Sequence, residues 1–196
     1  MNKIKILDCT LRDGGYYNNW DFSNEVVNDY LKVMSIVGID YVELGFRSFK
    51  AKNFKGPTWY TTESYLESLH IPKNIKIGVM VNVSEIISHP SGINNATKLM
   101  FRNAKKSRVR FVRLASHFKE INETIKICKI LKKMNYFVTI NLMQISEQNK
   151  EKSEQFTYEK NSVYPIKMPY RLGHSLWHTF SLRKWGKTYF WLSAIK

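Results

Sequence analysis

The sequence predicts a parallel α/β fold assembled from five β/α units. Short apolar runs of strand length begin near residues 4, 41, 76, 109 and 137. Between them the apolar residues recur three and four apart, the period of an amphipathic helix. The first run, Ile4, Ile6 and Leu7, ends at Asp8 and gives way to Thr10-Leu11-Arg12-Asp13-Gly14-Gly15. A strand that stops in polar and charged residues followed by glycines is how α/β proteins build a site at a strand's C-terminal end.

Taken in order, Ser23 caps a helix whose apolar positions are Val26, Val27, Tyr30, Leu31, Met34 and Val37, with Gly38 ending it. Tyr41 to Phe46 is the second strand and carries Glu43 in its middle. Arg47 to Trp59 is a loop rich in lysine and aromatics with a turn at Gly56-Pro57, part of a lid or plain surface. Thr61 or Thr62 caps a helix through His70, which Pro72 stops. Lys76 to Val81 is the third strand, ending at Asn82. Helix follows from Ser84, breaks at Pro90-Ser91-Gly92 and resumes from Asn94 to Lys106. Val109 to Leu114 is the fourth strand, running into Ala115-Ser116-His117. Ile121, Ile125, Cys128 and Leu131 mark a helix face that closes near Asn135, and Phe137 to Leu142 is the fifth strand.

Two features carry chemistry. Arg12 and Asp13 are adjacent, so one small site can use both: a permanently charged fork suited to carboxylates and enolates, and a hard oxygen ligand for a divalent metal. A lone Arg-Asp-Gly is ordinarily a surface salt bridge beside a turn. Glu43 is a carboxylate in an apolar strand, which is costly unless something pairs with it or it faces outward on a pleated edge. His117, at the end of the fourth strand, and the neutral groups Asn141 and Gln144 near the end of the fifth stand where a barrel places functional residues. Exposed loop or core-edge residues have the same appearance.

Leu7-Asp8-Cys9-Thr10-Leu11-Arg12-Asp13-Gly14-Gly15 resembles the opening strand and loop of the DRE-TIM metallolyases. That superfamily includes hydroxymethylglutaryl-CoA lyase, 4-hydroxy-2-oxovalerate aldolase and the isopropylmalate and homocitrate synthases. The sequence is most similar to the aldolase-like branch, with Asn141-Leu142-Met143-Gln144 extending the likeness into the fifth strand. The resemblance spans roughly residues 3 to 150 and implies an incomplete (β/α)8 TIM barrel. It implies that Asp13 is a ligand for Mn²⁺ or Mg²⁺, that Arg12 is catalytic, and that Glu43 orients the Arg12 guanidinium. Gly14, Tyr16, His117, Asn141 and Gln144 then become candidates for binding substrate. The implied reaction is carbon–carbon cleavage of a 2-oxo or 4-hydroxy-2-oxo acid through a metal-stabilised enolate. Tyr16 occupies the position of the histidine base of better-known relatives, and a phenol is a poorer base at neutral pH. A Claisen-type acyl-CoA condensing reaction is the alternative within the superfamily.

The alternation fails near Lys150. Where the resemblance calls for a sixth strand and then a His-x-His metal pair, the sequence has neither, and His174 and His178 stand four apart. Metal binding is therefore expected to be weak or absent in this chain. The expected organisation is residues 1–150 as the N-terminal part of the barrel and 151–196 as a divergent or frameshifted tail, basic and aromatic. A non-catalytic basic binding module or a gene remnant is the reading from a different functional class.

Composition sets the remaining limits. At 196 residues the chain falls short of the roughly 250 usual for a closed barrel. Its net charge of +15 invites a nucleic-acid reading, but the excess is scattered lysine plus an acid-free stretch after Glu159, without a recognition motif. Nucleic acid is therefore not an expected partner. The expected partners are a small 2-oxo acid and another copy or partner chain, because an open sheet leaves edges and an inner face uncovered. The two cysteines, Cys9 and Cys128, show neither metal nor disulfide spacing, and no apolar run approaches the ~20 residues of a membrane span. A cytoplasmic location is the expectation.

Overall fold

The computed structural model describes residues 5–49 and 51–143, together with the backbone of residues 166–167, 179–182 and 189–191. Its first strands are β1 (Lys5–Asp8), β2 (Tyr41–Phe46), β3 (Lys76–Asn82), β4 (Val109–His117) and β5 (Phe137–Met143). They pair in parallel, in sequence order, as a curled half-barrel with helices on its outer side: an incomplete α/β barrel-like fold. Three short strands flank it: β6 (Ile166–Lys167), β7 (Thr179–Leu182) and β8 (Tyr189–Trp191). β8 joins β1 in parallel, β7 joins β5 antiparallel, and β6 joins β7. The remaining residues of the expected tail, with Gln144, His174 and His178, lie outside the described residues.

The segment read as a loop after β1 is a helix, α1 (Thr10–Asn18). Two adjacent glycines argue against helix, each costing about 1 kcal/mol relative to alanine. Tertiary packing overrides them: a side chain on Gly15 would come within 2.1 Å of the Trp20 indole, which donates from Nε1 to the Arg12 carbonyl at 2.9 Å. The helix ends on Asn19 in the left-handed region, φ 58°.

The helix α2 (Asn24–Ile36) is capped as expected, Ser23 Oγ accepting from Val26 N at 3.3 Å, and Gly38 follows at φ +80°. It buries Val27 and Leu31, with Tyr30 and Met34 packed against the core, but Val26 and Val37, apolar positions of the same helical pattern, stand outward. Gly56-Pro57 opens a single helical turn, α3 (Pro57–Tyr60), with proline at the first position. The helix expected to reach His70 is shorter, α4 (Glu63–Glu67), capped by Thr62. Then come α5 (Val83–Ile87), α6 (Gly92–Met100) and α7 (Ile121–Lys133). The expected run to Lys106 breaks at Phe101, whose backbone is extended, and resumes only as a 3₁₀ turn at Ala104–Lys106.

The start of the segment after β2, Arg47 to Phe49, is tied down. Glu85 accepts from Ser48 Oγ at 2.7 Å and Phe49 N at 3.1 Å. Arg47 is buried and donates to the Thr61 carbonyl at 2.6 Å. Glu63 collects Arg47 Nη1 and Arg102 Nη2 at 3.1 Å, Ser107 Oγ at 2.7 Å and Arg108 N at 3.3 Å. No helix among the described residues is long and apolar enough to cross a membrane.

The inner face of the half-barrel is layered. Leu7, Cys9, Tyr41, Phe111 and Phe137 cluster at one level, and Trp20, Phe46, Trp59, Met80, Ala115 and Met143 at another. Along β4 the inward residues step from Phe111 through Arg113 to Ala115, so a charged side chain lies between two apolar layers. β2 carries a register shift between Glu43 and Gly45 that brings its backbone against α3. A Cβ on Gly45 would meet the Thr58 carbonyl oxygen at 1.9 Å. Backbone cannot yield as a side-chain tip can, so Gly45→Ala is expected to cost about 1–3 kcal/mol by overpacking. A urea melt checks it, with the midpoint lowered and the slope unchanged.

Candidate active site

The charged layer is a carboxylate held between two guanidinium groups. Glu43 has no solvent exposure. Arg12 Nε donates to its Oε1 at 2.8 Å, and Arg113 donates from Nε to Oε2 at 2.7 Å and from Nη2 to Oε1 at 2.5 Å. Both arginines are themselves buried. Burial alone would raise the Glu43 pKa, but the charges and hydrogen bonds of Arg113 and Arg12 outweigh it and hold the carboxyl below its usual range. Arg113 is shifted upward by the Glu43 charge against its own desolvation. Glu43 therefore stays ionised with both oxygens engaged, which suits it to orient arginines and unsuits it to take a proton.

Asp13 stands at the rim, its side chain 29% exposed, with Oδ1 2.6 Å from Arg12 Nη1. Partial burial raises its pKa although Arg12 and Arg113 pull the other way. The Arg12 fork thus spans two carboxylates, Nε toward the interior and Nη1 toward the rim, and neither contact uses Nη2. Cys9 lies beneath, its sulfur 3.7 Å from Arg113 Nη2. Burial first, then the Glu43 charge, pushes this thiol upward, so it is no thiolate nucleophile.

The structure thus brings Arg12, Asp13 and Glu43 into one cluster. The other sequence candidates scatter. Gly14 sits within α1, and a Cβ there would meet only Phe22, at 3.8 Å; the close approach belongs to Gly15 and Trp20. Tyr16 is 63% exposed, its ring edge-on to Trp20. His117 ends β4 in a capping box with Glu120, its backbone N–H donating to Glu120 Oε2 at 2.9 Å. Asn141 is fully buried on β5 with neither amide atom partnered among the described residues, and it pairs in register with Ala115 of the inner layer. Thr139 Oγ1, one step below and in register with Arg113, is likewise unpartnered.

Sequence reasoning missed Arg113, although a signal was present. Like Glu43, it is a charge inside an apolar strand, and two such charges of opposite sign satisfy each other when their strands face one interior. Among the described residues no three histidine, cysteine, aspartate or glutamate side chains group as metal ligands.

No family model matches the chain. Over 78 residues it is 28% identical to an oxaloacetate decarboxylase of Mycobacterium tuberculosis, a stretch covering 39% of this chain and 23% of that protein. It also matches the crystal structure of the N-terminal domain of a "putative aldolase" from Bacteroides vulgatus, with a TM-score of 0.61 and 35% identity. That match covers 74% of this chain and 48% of the other, so the chain spans about half of the solved domain and about a quarter of the decarboxylase. The half-barrel is thus similar, in sequence and in shape, to part of an aldolase-type domain.

Proposed function

We propose that this chain carries the N-terminal half of a lyase site that cleaves the C3–C4 bond of a 2-oxo acid. The observation that carries the reading is the Arg12–Glu43–Arg113 cluster with Asp13 at its rim. An aldolase expels an aldehyde and an oxaloacetate decarboxylase expels carbon dioxide, but in both the C3–C4 bond breaks and its electron pair passes into the C2 carbonyl, leaving the same pyruvate-type enolate. Arg12 is the residue suited to that developing oxyanion, being fixed by two carboxylates and permanently charged. Glu43 and Arg113 position it. Asn141, with an unpartnered donor and acceptor on the inner face, is assigned to a substrate hydroxyl or carboxylate. Of the groups named, Asp13 alone is suited to a divalent cation, and one such ligand does not fit a stoichiometric site. No step is therefore routed through a metal.

The binding test uses oxalate, a planar dianion shaped like the pyruvate enolate. Calorimetry is expected to show millimolar binding to the wild-type chain that Arg12→Ala removes. Equal heats from both proteins would defeat the assignment of Arg12. A separate titration with Mn²⁺ alone is expected to show no micromolar site. Micromolar binding lost in Asp13→Ala would instead show that further ligands assemble around this carboxylate.

A further inference from the structure

Among the described residues, Asn141 Nδ2 and Oδ1, Thr139 Oγ1 and Trp59 Nε1 are shielded from water without a hydrogen-bond partner. A carboxamide buried in this way costs stability, so the fold by itself gives no reason for Asn141. Its placement follows from strand parity. Along β5, Val138, Ile140 and Leu142 join the outer core under the helices, whereas Phe137 and Met143 join the inner clusters. Thr139 and Asn141 share that inner parity. On β3, Val79 and Val81 go outward and Met80 inward, so Asn82 is an inner residue as well.

The register then sets Asn82, Ala115 and Asn141 side by side on β3, β4 and β5. This row lies one step beyond Arg113 and Thr139, toward the C-terminal ends of the strands. Ala115 packs with Trp20, Phe46 and Met80, and Trp59 and Met143 lean on the same cluster. Beyond the charged layer the inner face therefore combines flat aromatic rings with carboxamides. On the other side of Arg113 the interior is closed by Leu7, Cys9 and Phe111, all buried. A 2-oxo acid held at Arg12 thus extends toward the amide row. Met143, unbranched and half-buried, stands two residues beyond Asn141 on the same face and is the side chain suited to swing aside for it. The unpaired groups are uncharged and include both donors and acceptors. That set matches hydroxyls, each of which donates and accepts, while the rings match the C–H face of a sugar chain. An alkyl chain would leave the Asn141 amide unpaired, and a second carboxylate would call for a cation. Lys55, over the Trp20 and Trp59 rings at 5.0 and 5.4 Å, is engaged by Asn19 Oδ1 at 2.9 Å.

Resting on the lyase reading above, we propose that the substrate carries hydroxyls from C4 outward: a sugar-derived 2-oxo acid, bound through the Asn141 amide. Calorimetry on the full chain compares three six-carbon 2-oxo acids. These are 2-oxo-3-deoxygluconate, with hydroxyls on its last three carbons, 2-oxohexanoate, with an alkyl chain, and 2-oxoadipate, with a second carboxylate. The first is expected to bind about tenfold tighter than either of the others. Asn141→Leu is expected to erase that preference and to raise the melting temperature by about 2–4 °C, because an unpaired amide gives way to an apolar side chain of similar volume. A lowered melting temperature would show that the amide is partnered within the fold, which overturns the proposal. So does tighter binding of 2-oxoadipate. If oxalate binds through Arg12 while the three acids bind alike, this proposal fails and the lyase reading stands. If oxalate gives no heat, the lyase reading fails and this proposal with it.

Discussion

Glu43→Ala should destabilise the chain by about 3–5 kcal/mol, enough to unfold most of it, because two buried guanidinium groups lose the carboxylate they share. The comparison that isolates charge is Glu43→Gln. It keeps the shape, but it offers a single acceptor oxygen where the carboxylate offers two. Both variants are expected to melt well below wild type, alanine lowest. A triple replacement by apolar residues at Arg12, Glu43 and Arg113 should recover much of the loss, since the penalty lies in unpaired charge rather than in the missing ion pairs themselves. The pH dependence follows from the lowered Glu43 pKa. Its contribution is fully present above the unfolded carboxylate value and is lost as pH falls through the folded one. Acid melts of wild type should therefore show a loss below the ordinary glutamate range that Glu43→Gln lacks.

That same residue shows how far the sequence could be read. Glu43 announced itself because a lone acid in an apolar strand demands a partner, and Arg12 was legible from its place after β1. Arg113 obeys the same rule, yet a single strand does not say which way its charge points. The strand register sets Glu43 level with Gly78 and Phe111, and Arg113 stands two residues further along β4, so only the folded sheet brings the two side chains together. The five strands were legible because each is short, apolar and bounded by turn residues. α1 was not, since Asp13-Gly14-Gly15 has the local preferences of a turn and only Trp20 packing makes it helical. The exposure of Val26 and Val37 was equally hidden: helical spacing marks an apolar position without telling which neighbour covers it.

Turnover by this chain alone is expected to be close to the uncatalysed rate. The described residues supply Arg12, Asp13 and Glu43 from the first two β/α units and Asn141 from the fifth strand, which is part of a site. Groups that act as a unit lose most of their effect when one is missing, and loss of a single oxyanion donor alone costs on the order of 10² to 10³ in rate. The measurement is pyruvate release from oxaloacetate and from a 4-hydroxy-2-oxo acid, with Mn²⁺ present. Vigorous release abolished by Arg12→Ala would mean that the C-terminal residues or a partner chain complete the constellation, and that the site is whole as it stands.

Glu63 has a consequence for how the molecule comes apart. Its carboxylate binds Arg47 at the end of β2 and Ser107 and Arg108 at the start of β4, partners 16, 44 and 45 residues away. Opening either neighbour breaks the bridge through Glu63, costing Arg47 its counter-charge or Ser107 and Arg108 their acceptor, so the second, third and fourth β/α units are fastened in parallel rather than strung in series. They form one cooperative block. Amide protons across those three units should then exchange through a single shared opening, whereas β1, held by neighbours on its two sides, frays on its own schedule.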